Sequence, residues 1–292
     1  VILDDVFEPS GLATREQLLS VLSRKTLAAH LEAGALERVW HGVYAQRPPD
    51  LDMRLAGLDL MTGKRIVACM HTAATIYGFA TEADPRIHIL DPGVRMRPNS
   101  GLMVHQRLGA PLRRVGSRLV TAPAWTSVET ARALRRPRAL ATLDAALRSG
   151  ACTRGEIEAA IREQKGRRGI VNVRELVVHA DERAESAMES ETRLVFIDGG
   201  LPKPELQYEI IDRCGKLWRV DFAWPWAGVV AEYDSMEWHA NPTAWKRDRV
   251  KYTRLGECGW TVVPVVVDDV RRHPTDLVSR VQRHLDAARL AG

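Results

Sequence analysis

Asp221 and Glu232 are the residues whose types and spacing could do chemistry, since they fall on two arms of one alternating stretch, Trp218 to His239. Val220, Phe222 and Trp224 alternate with Arg219, Asp221 and Ala223; beyond Pro225 to Gly228, Val229, Ala231 and Tyr233 alternate with Val230, Glu232 and Asp234. Period two on both arms predicts two half-buried strands. A turn centred between Trp226 and Ala227 sets Asp221 opposite Glu232, and Arg219 opposite Asp234, on one face. Opposed carboxylates repel unless something neutralises them. A hard divalent cation such as Mg²⁺, bound by Asp221 and Glu232, would do so and would leave positions for phosphate and water. His239 is then the candidate base, and Lys246 or Lys251 on the next helix could stabilise a negative transition state. The plainer reading is a surface hairpin with an Arg219–Asp234 pair and solvated acids.

Glu185, Glu189 and Arg193 lie one helical turn apart in the preceding segment, on one face. Together with Ala184-Glu185-Ser186, Gly200-Leu201-Pro202, Gln207, Arg219-Val220-Asp221-Phe222, Glu232-Tyr233-Asp234, Trp238-His239, Arg247-Asp248 and Gly259-Trp260, this pattern resembles the very-short-patch-repair-like branch of the PD-(D/E)xK restriction-endonuclease-like superfamily. The resemblance covers about Asp181 to Leu290. It implies a mixed sheet flanked by helices, with Glu189 joining Asp221 and Glu232 as the acids of a metal-dependent endonuclease. Two positions depart from the pattern: Asp234 stands where a lysine is expected and Ser235 where a glycine is. With these departures the expectation is a nuclease-like domain that has lost its chemistry; the alternative is an Mg²⁺-dependent endonuclease.

Such a site needs something to bring it to DNA, and the N-terminal stretch from Gly11 to Gln46 reads as a helix-turn-helix with a wing. Thr14 caps one helix, with Gln17 completing a capping box; Ser23 caps a second, Arg24 to Glu32, with Leu27, Ala28 and Leu31 toward the core. Leu36 to Tyr44 alternates as a short hairpin with Gly42 near its bend. Arg24 and Lys25 would meet base edges or phosphates, and Arg38 or His41 on the wing the neighbouring backbone. The phrase Gly34-Ala35-Leu36-Glu37-Arg38-Val39 ending in Gly42-Val43-Tyr44 resembles the winged helix of abortive-infection-type (AbiEi-like) type IV antitoxins and transcriptional regulators. That resemblance implies repression of the chain's own promoter and a nucleotidyltransferase-like toxin as the functional partner.

Between these ends, Asp91 to Arg138 carries ten arginines against two acids, a net charge of +8, while Asp181 to Gly292 is net −3. Arg132, Arg135 and Arg136 fall at helical spacing after Thr126, and read either as further phosphate contacts or as a solvated face. Gln164 to Gly169 reads as an exposed polar loop. His71, His88 and His105 suggest a metal site, but their spacing is not that of a zinc motif. Cys69, Cys152, Cys214 and Cys258 are far apart and form no C-x-x-C pair. No apolar run reaches the roughly 20 residues of a membrane span, so a cytoplasmic protein is expected. The fold class is thus α+β or α/β in three parts: a winged helix over 1–50, a basic mixed α/β region over 51–180, and a restriction-endonuclease-like domain over 181–292.

Overall fold

The computed structural model describes residues 6–96, 98–106, 109–234 and 242–291. The fold is mixed α and β, in two compact units: Val1–Tyr77 with Ala83–Thr126, and Gly78–Glu82 with Ser127–Gly292.

The first unit opens with β1 (Leu12–Thr14), α1 (Arg15–Val21), α2 (Arg24–Glu32), β2 (Glu37–Trp40) and β3 (Val43–Ala45). Both helices start at the caps expected of them. Thr14 and Gln17 exchange hydrogen bonds across the first turn of α1, and Ser23 Oγ accepts from Thr26 N–H at 3.0 Å. The three strands form one sheet in the order β1-β3-β2, and Trp40 pairs with Val43 across a turn in which Gly42 takes a φ of +78°. α3 (Leu51–Thr62) follows, then a five-stranded mixed sheet built from β4 (Val67–Ala68), β5 (Ile87–Leu90), β6 (Leu102–His105), β7 (Leu112–Val115) and β8 (Arg118–Thr121), with α4 (Met70–Tyr77) between its first two strands. Leu12, Trp40, Met53, Leu58, Ile87 and Val120 belong to one buried cluster. The small sheet, α3 and the larger sheet therefore share this cluster, while Ala13, Leu18, Leu27, Leu36 and Tyr44 form another among α1, α2 and the small sheet.

The second unit takes the chain through α5 (Pro123–Ala133), α6 (Arg136–Arg148), α7 (Arg154–Glu163), α8 (Ile170–Leu176) and α9 (Ala187–Asp198). The single helix expected to carry Arg132, Arg135 and Arg136 is two: Pro137 sits in the first turn of α6, and Arg135 at its N-cap has extended backbone. Gln164 is fully buried, and Arg167 and Arg132 tie the 164–169 loop to α5 through Glu129 Oε1 and the Arg168 carbonyl. Gly169 closes this packing: with φ at +82°, an added Cβ would lie 2.4 Å from the Arg132 carbonyl oxygen. The loop expected to be exposed is instead packed at these points.

A second sheet follows, ordered β12-β11-β10-β9, from β9 (Glu205–Ile211), β10 (Leu217–Trp224), β11 (Val229–Tyr233) and β12 (Thr261–Val265). β9, β10 and β11 are antiparallel, and β12 runs parallel to β11 after the crossover helix α10 (Pro242–Glu257). α11 (Val267–Arg271) and α12 (Pro274–Ala291) complete the chain. Phe196, Phe222, Trp224, Val263 and Leu277 pack in one buried cluster; Trp218, Val220, Val230 and Leu255 pack in another. The sheet thus has α9, α11 and α12 on one face and α10 on the other.

Candidate functional site

The hairpin register is the expected one, with Phe222 opposite Ala231, Ala223 opposite Val230 and Trp224 opposite Val229. The alternation of faces is not. Val220 packs with the α10-side cluster and Phe222 with the α9-side cluster, although two-residue spacing should keep them together. In β9, Leu206 and Tyr208 divide in the same way, and Gln207 between them has a φ of +51°. Both strands change face at the level of Gln207 and Asp221, which is missing from the β9–β10 pairing. There the Asp221 side chain takes over from the ladder, accepting from the Tyr233 N–H at 2.9 Å.

The distortion gathers three carboxylates with three different sets of donors. Glu189 Oε2 accepts from Gln207 Nε2 at 2.9 Å and from the Glu185 N–H at 2.8 Å. Asp221 is held by the Tyr233 N–H and by Gln207. Glu232 Oε1 lies 2.6 Å from the Lys251 ammonium, which also donates to the Arg219 carbonyl at 2.6 Å. Burial, and then the Asp221 charge, push the Glu232 carboxyl up to about 8 against the pull of Lys251. Burial also raises Asp221 and Glu189, the latter with help from Asp221. All three carboxyls are thus shifted upward, with burial the largest cause at each.

The Arg219–Asp234 pair of the plainer reading does not form: Arg219 Nη2 meets Glu185 Oε2 at 2.7 Å, and Asp234 Oδ1 accepts from the Tyr252 hydroxyl at 2.9 Å. Arg193 is buried and reaches Asp144 on α6, which is fully buried. Mg²⁺ is not a good fit for these residues. The Tyr233 N–H already donates to Asp221 Oδ2, the Lys251 ammonium lies against Glu232 Oε1, and among the described residues no group of three His, Cys, Asp or Glu side chains is placed to hold a metal ion. Ser235, Trp238 and His239, the candidate base, lie outside the described residues.

On α2, only Leu27 is buried; Arg24, Lys25, Ala28 and Ala29 are exposed, so Ala28 does not face the core. Arg24 and Lys25 occupy the first turn, where free N–H groups and the helix dipole favour an anion. Arg38 and His41 are exposed on the β2–β3 hairpin, with the Arg38 guanidinium 6.0 Å from the centre of the Tyr44 ring. Arg132, Arg135 and Arg136, by contrast, each have carboxylate partners: Glu129 for Arg132, Glu82 and Glu191 for Arg135, Asp198 and Glu175 for Arg136.

The structure also assembles a chain of groups that the sequence spacing concealed. Asp84 Oδ2 lies 3.0 Å from His88 Nε2, and His88 Nδ1 lies 3.0 Å from His105 Nε2, with the two rings stacked. Arg86 grips Asp84 through both oxygens, and His71 Nε2 accepts from the Asp84 N–H at 3.2 Å. Burial lowers the pKa of His88 while Asp84 opposes the shift. The unfolded chain therefore takes up this proton at a higher pH than the folded one, and stability falls as pH drops below about 6.5. His88→Gln is expected to flatten the change in melting temperature between pH 7.5 and 5.5. It should leave the loss below about pH 4 that follows from the depressed pKa of Asp84.

Residues 66–178 match the family model of the AbiEi antitoxin C-terminal domain. The match covers the five-stranded sheet, the histidine chain and helices α4 to α8, a region whose sequence pattern had suggested no more than a basic α/β segment. Two proteins of Mycobacterium tuberculosis, uncharacterized protein MT2308 of strain CDC 1551 / Oshkosh and uncharacterized protein Rv2248 of strain H37Rv, are each 62% identical over 271 residues. Each alignment covers 93% of this chain and 100% of the relative. Among the described residues no helix is long and apolar enough to cross a membrane.

Proposed function

Because the chain belongs to the family of these mycobacterial proteins and carries an AbiEi antitoxin C-terminal domain, we propose that it is an antitoxin that binds duplex DNA through a winged helix and represses its own promoter. The observation that carries this reading is the exposed face of α2: a cationic first turn on Arg24 and Lys25, followed by the small residues Ala28 and Ala29. A face of that kind admits the floor of a major groove while its first turn meets phosphate or base edges. Arg38 and His41 on the hairpin supply contacts to the flanking backbone. Arg132, Arg135 and Arg136 take a lesser part, because their charge is shared with Glu129, Glu191 and Asp198. The toxin partner is a nucleotidyltransferase-like protein, in keeping with the antitoxin family that the N-terminal phrase resembles. The C-terminal domain serves as a nuclease-like fold without cleavage chemistry.

Titration against the DNA upstream of its own coding sequence tests this. Affinity should fall steeply with salt, because each arginine or lysine on a phosphate releases counterions. Arg24→Glu with Lys25→Glu should cost at least about 100-fold in affinity and erase the preference for that DNA. Changing Arg135 and Arg136 should cost only a few-fold, and equally on all DNA. No binding at low salt, or an affinity indifferent to salt, refutes the proposal.

A further inference from the structure

The position that a divalent ion would neutralise already has a cation beside it. Lys251 is carried on α10, which is anchored beneath the sheet by the fully buried Leu255. The lysine side chain is 15% exposed, with its ammonium 2.6 Å from Glu232 Oε1 and 2.6 Å from the Arg219 carbonyl oxygen. Tyr252, the next residue on the helix, donates to Asp234, the residue that stands in the expected lysine position. α10 therefore holds both ends of the Glu232-Tyr233-Asp234 segment. On the other side, Asp221 is committed to the backbone N–H of Tyr233, and Glu189 to Gln207.

We propose that the Lys251 ammonium is the resident counter-ion of the Asp221 and Glu232 carboxylates, taking the place of a divalent metal and keeping one from binding. Mg²⁺ needs near-octahedral oxygen ligands at roughly 2.1 Å. At Glu232 Oε1 it would meet the ammonium already there, and at Asp221 Oδ2 it would share the atom with the Tyr233 N–H. The lysine sets one positive charge against the pair from a side chain that is itself largely buried. Carried on the helix facing the strand, the lysine brings its ammonium directly onto the carboxylate. The inference goes beyond the DNA-binding reading and is independent of it, since it concerns only the second unit.

The test uses the full chain with Mg²⁺ or Mn²⁺ alone as the probe, followed by thermal unfolding and calorimetric titration. The wild type should show no metal-dependent rise in melting temperature and no heat of binding. In metal-free buffer at pH 9, above the value of about 8 to which Glu232 is raised, Lys251→Met should melt on the order of 10 °C lower, because it leaves a buried acid without its cation. The double variant Lys251→Met with Glu232→Gln should recover most of that loss. The proposal is overturned by a metal-dependent rise in the wild type that Asp221→Asn abolishes, or by metal-dependent plasmid nicking lost in the same variant. A double variant that melts as low as Lys251→Met also overturns it. Should Lys251→Met fail to fold, the wild-type metal titration still decides between a resident ammonium and a divalent ion.

Discussion

Arg193→Met should destabilise the second unit by about 3–5 kcal/mol, a drop of roughly 6–20 °C in the melting temperature of a unit this size. Arg193 and Asp144 are 4% and 0% exposed. The arginine donates to Asp144 Oδ2 and to the His179 carbonyl, while the other oxygen of Asp144 accepts from the Asp181 N–H. Removing the guanidinium leaves a carboxylate in a site where burial already raises its pKa. The orphaned acid will take up a proton as the pH falls, so the cost should be largest near pH 8 and smaller near pH 5. The double variant Asp144→Leu with Arg193→Met should regain most of the stability, since an apolar pair of similar volume carries no desolvation cost. Chemical denaturation of both variants at two pH values checks all three statements.

Trp224→Ala is expected to cost about 3–5 kcal/mol from lost burial and the cavity left behind. Roughly 1 kcal/mol more follows from the stranded Pro202 carbonyl. The indole is 0% exposed, stands edge-on to Phe196 with ring centres 5.5 Å apart, and donates from Nε1 to that carbonyl at 2.7 Å. Trp224→Phe keeps most of the apolar volume and loses the hydrogen bond, so it should cost about 1–3 kcal/mol. Equal losses for the two variants in urea denaturation would show that the hydrogen bond, not the volume, dominates there.

The sequence made some of this visible because certain signals are local. The capping box of Thr14 and Gln17, the cap at Ser23, the Trp40 to Val43 turn and the Phe222 to Ala231 register each depend on residues a few positions apart. What escaped it depends on residues far apart. A net charge of +8 over Asp91 to Arg138 suggested an open cationic surface, but Asp59, Glu82, Glu191 and Asp198, which pair with arginines of that stretch, all lie outside it. His88 and His105 are separated by more than a zinc motif allows, yet parallel pairing of β5 with β6 makes them neighbours. The change of face at Asp221 escaped period-two reasoning because it is a backbone event at Gln207, on another strand. Lys251 was visible as a lysine one helix further on, but only the packing of α10 gives its position.

The compact units also bear on the order in which the chain can fold during synthesis. Gly78–Glu82 belongs with Ser127–Gly292, although the residues on either side of it belong to the first unit. Glu82 pairs with Arg135 and Arg138, and Arg138 pairs in turn with Glu191. A ribosome delivering the chain from its N-terminus would release all of the first unit's residues once Thr126 has emerged, whereas the short piece containing Glu82 must wait for α6 and α9. The first unit therefore has the means to fold while its 78–82 excursion is still unpaired. Translation arrested before α9 would leave that excursion, with the half-built layer of α5 and α6, as the segment most open to proteases.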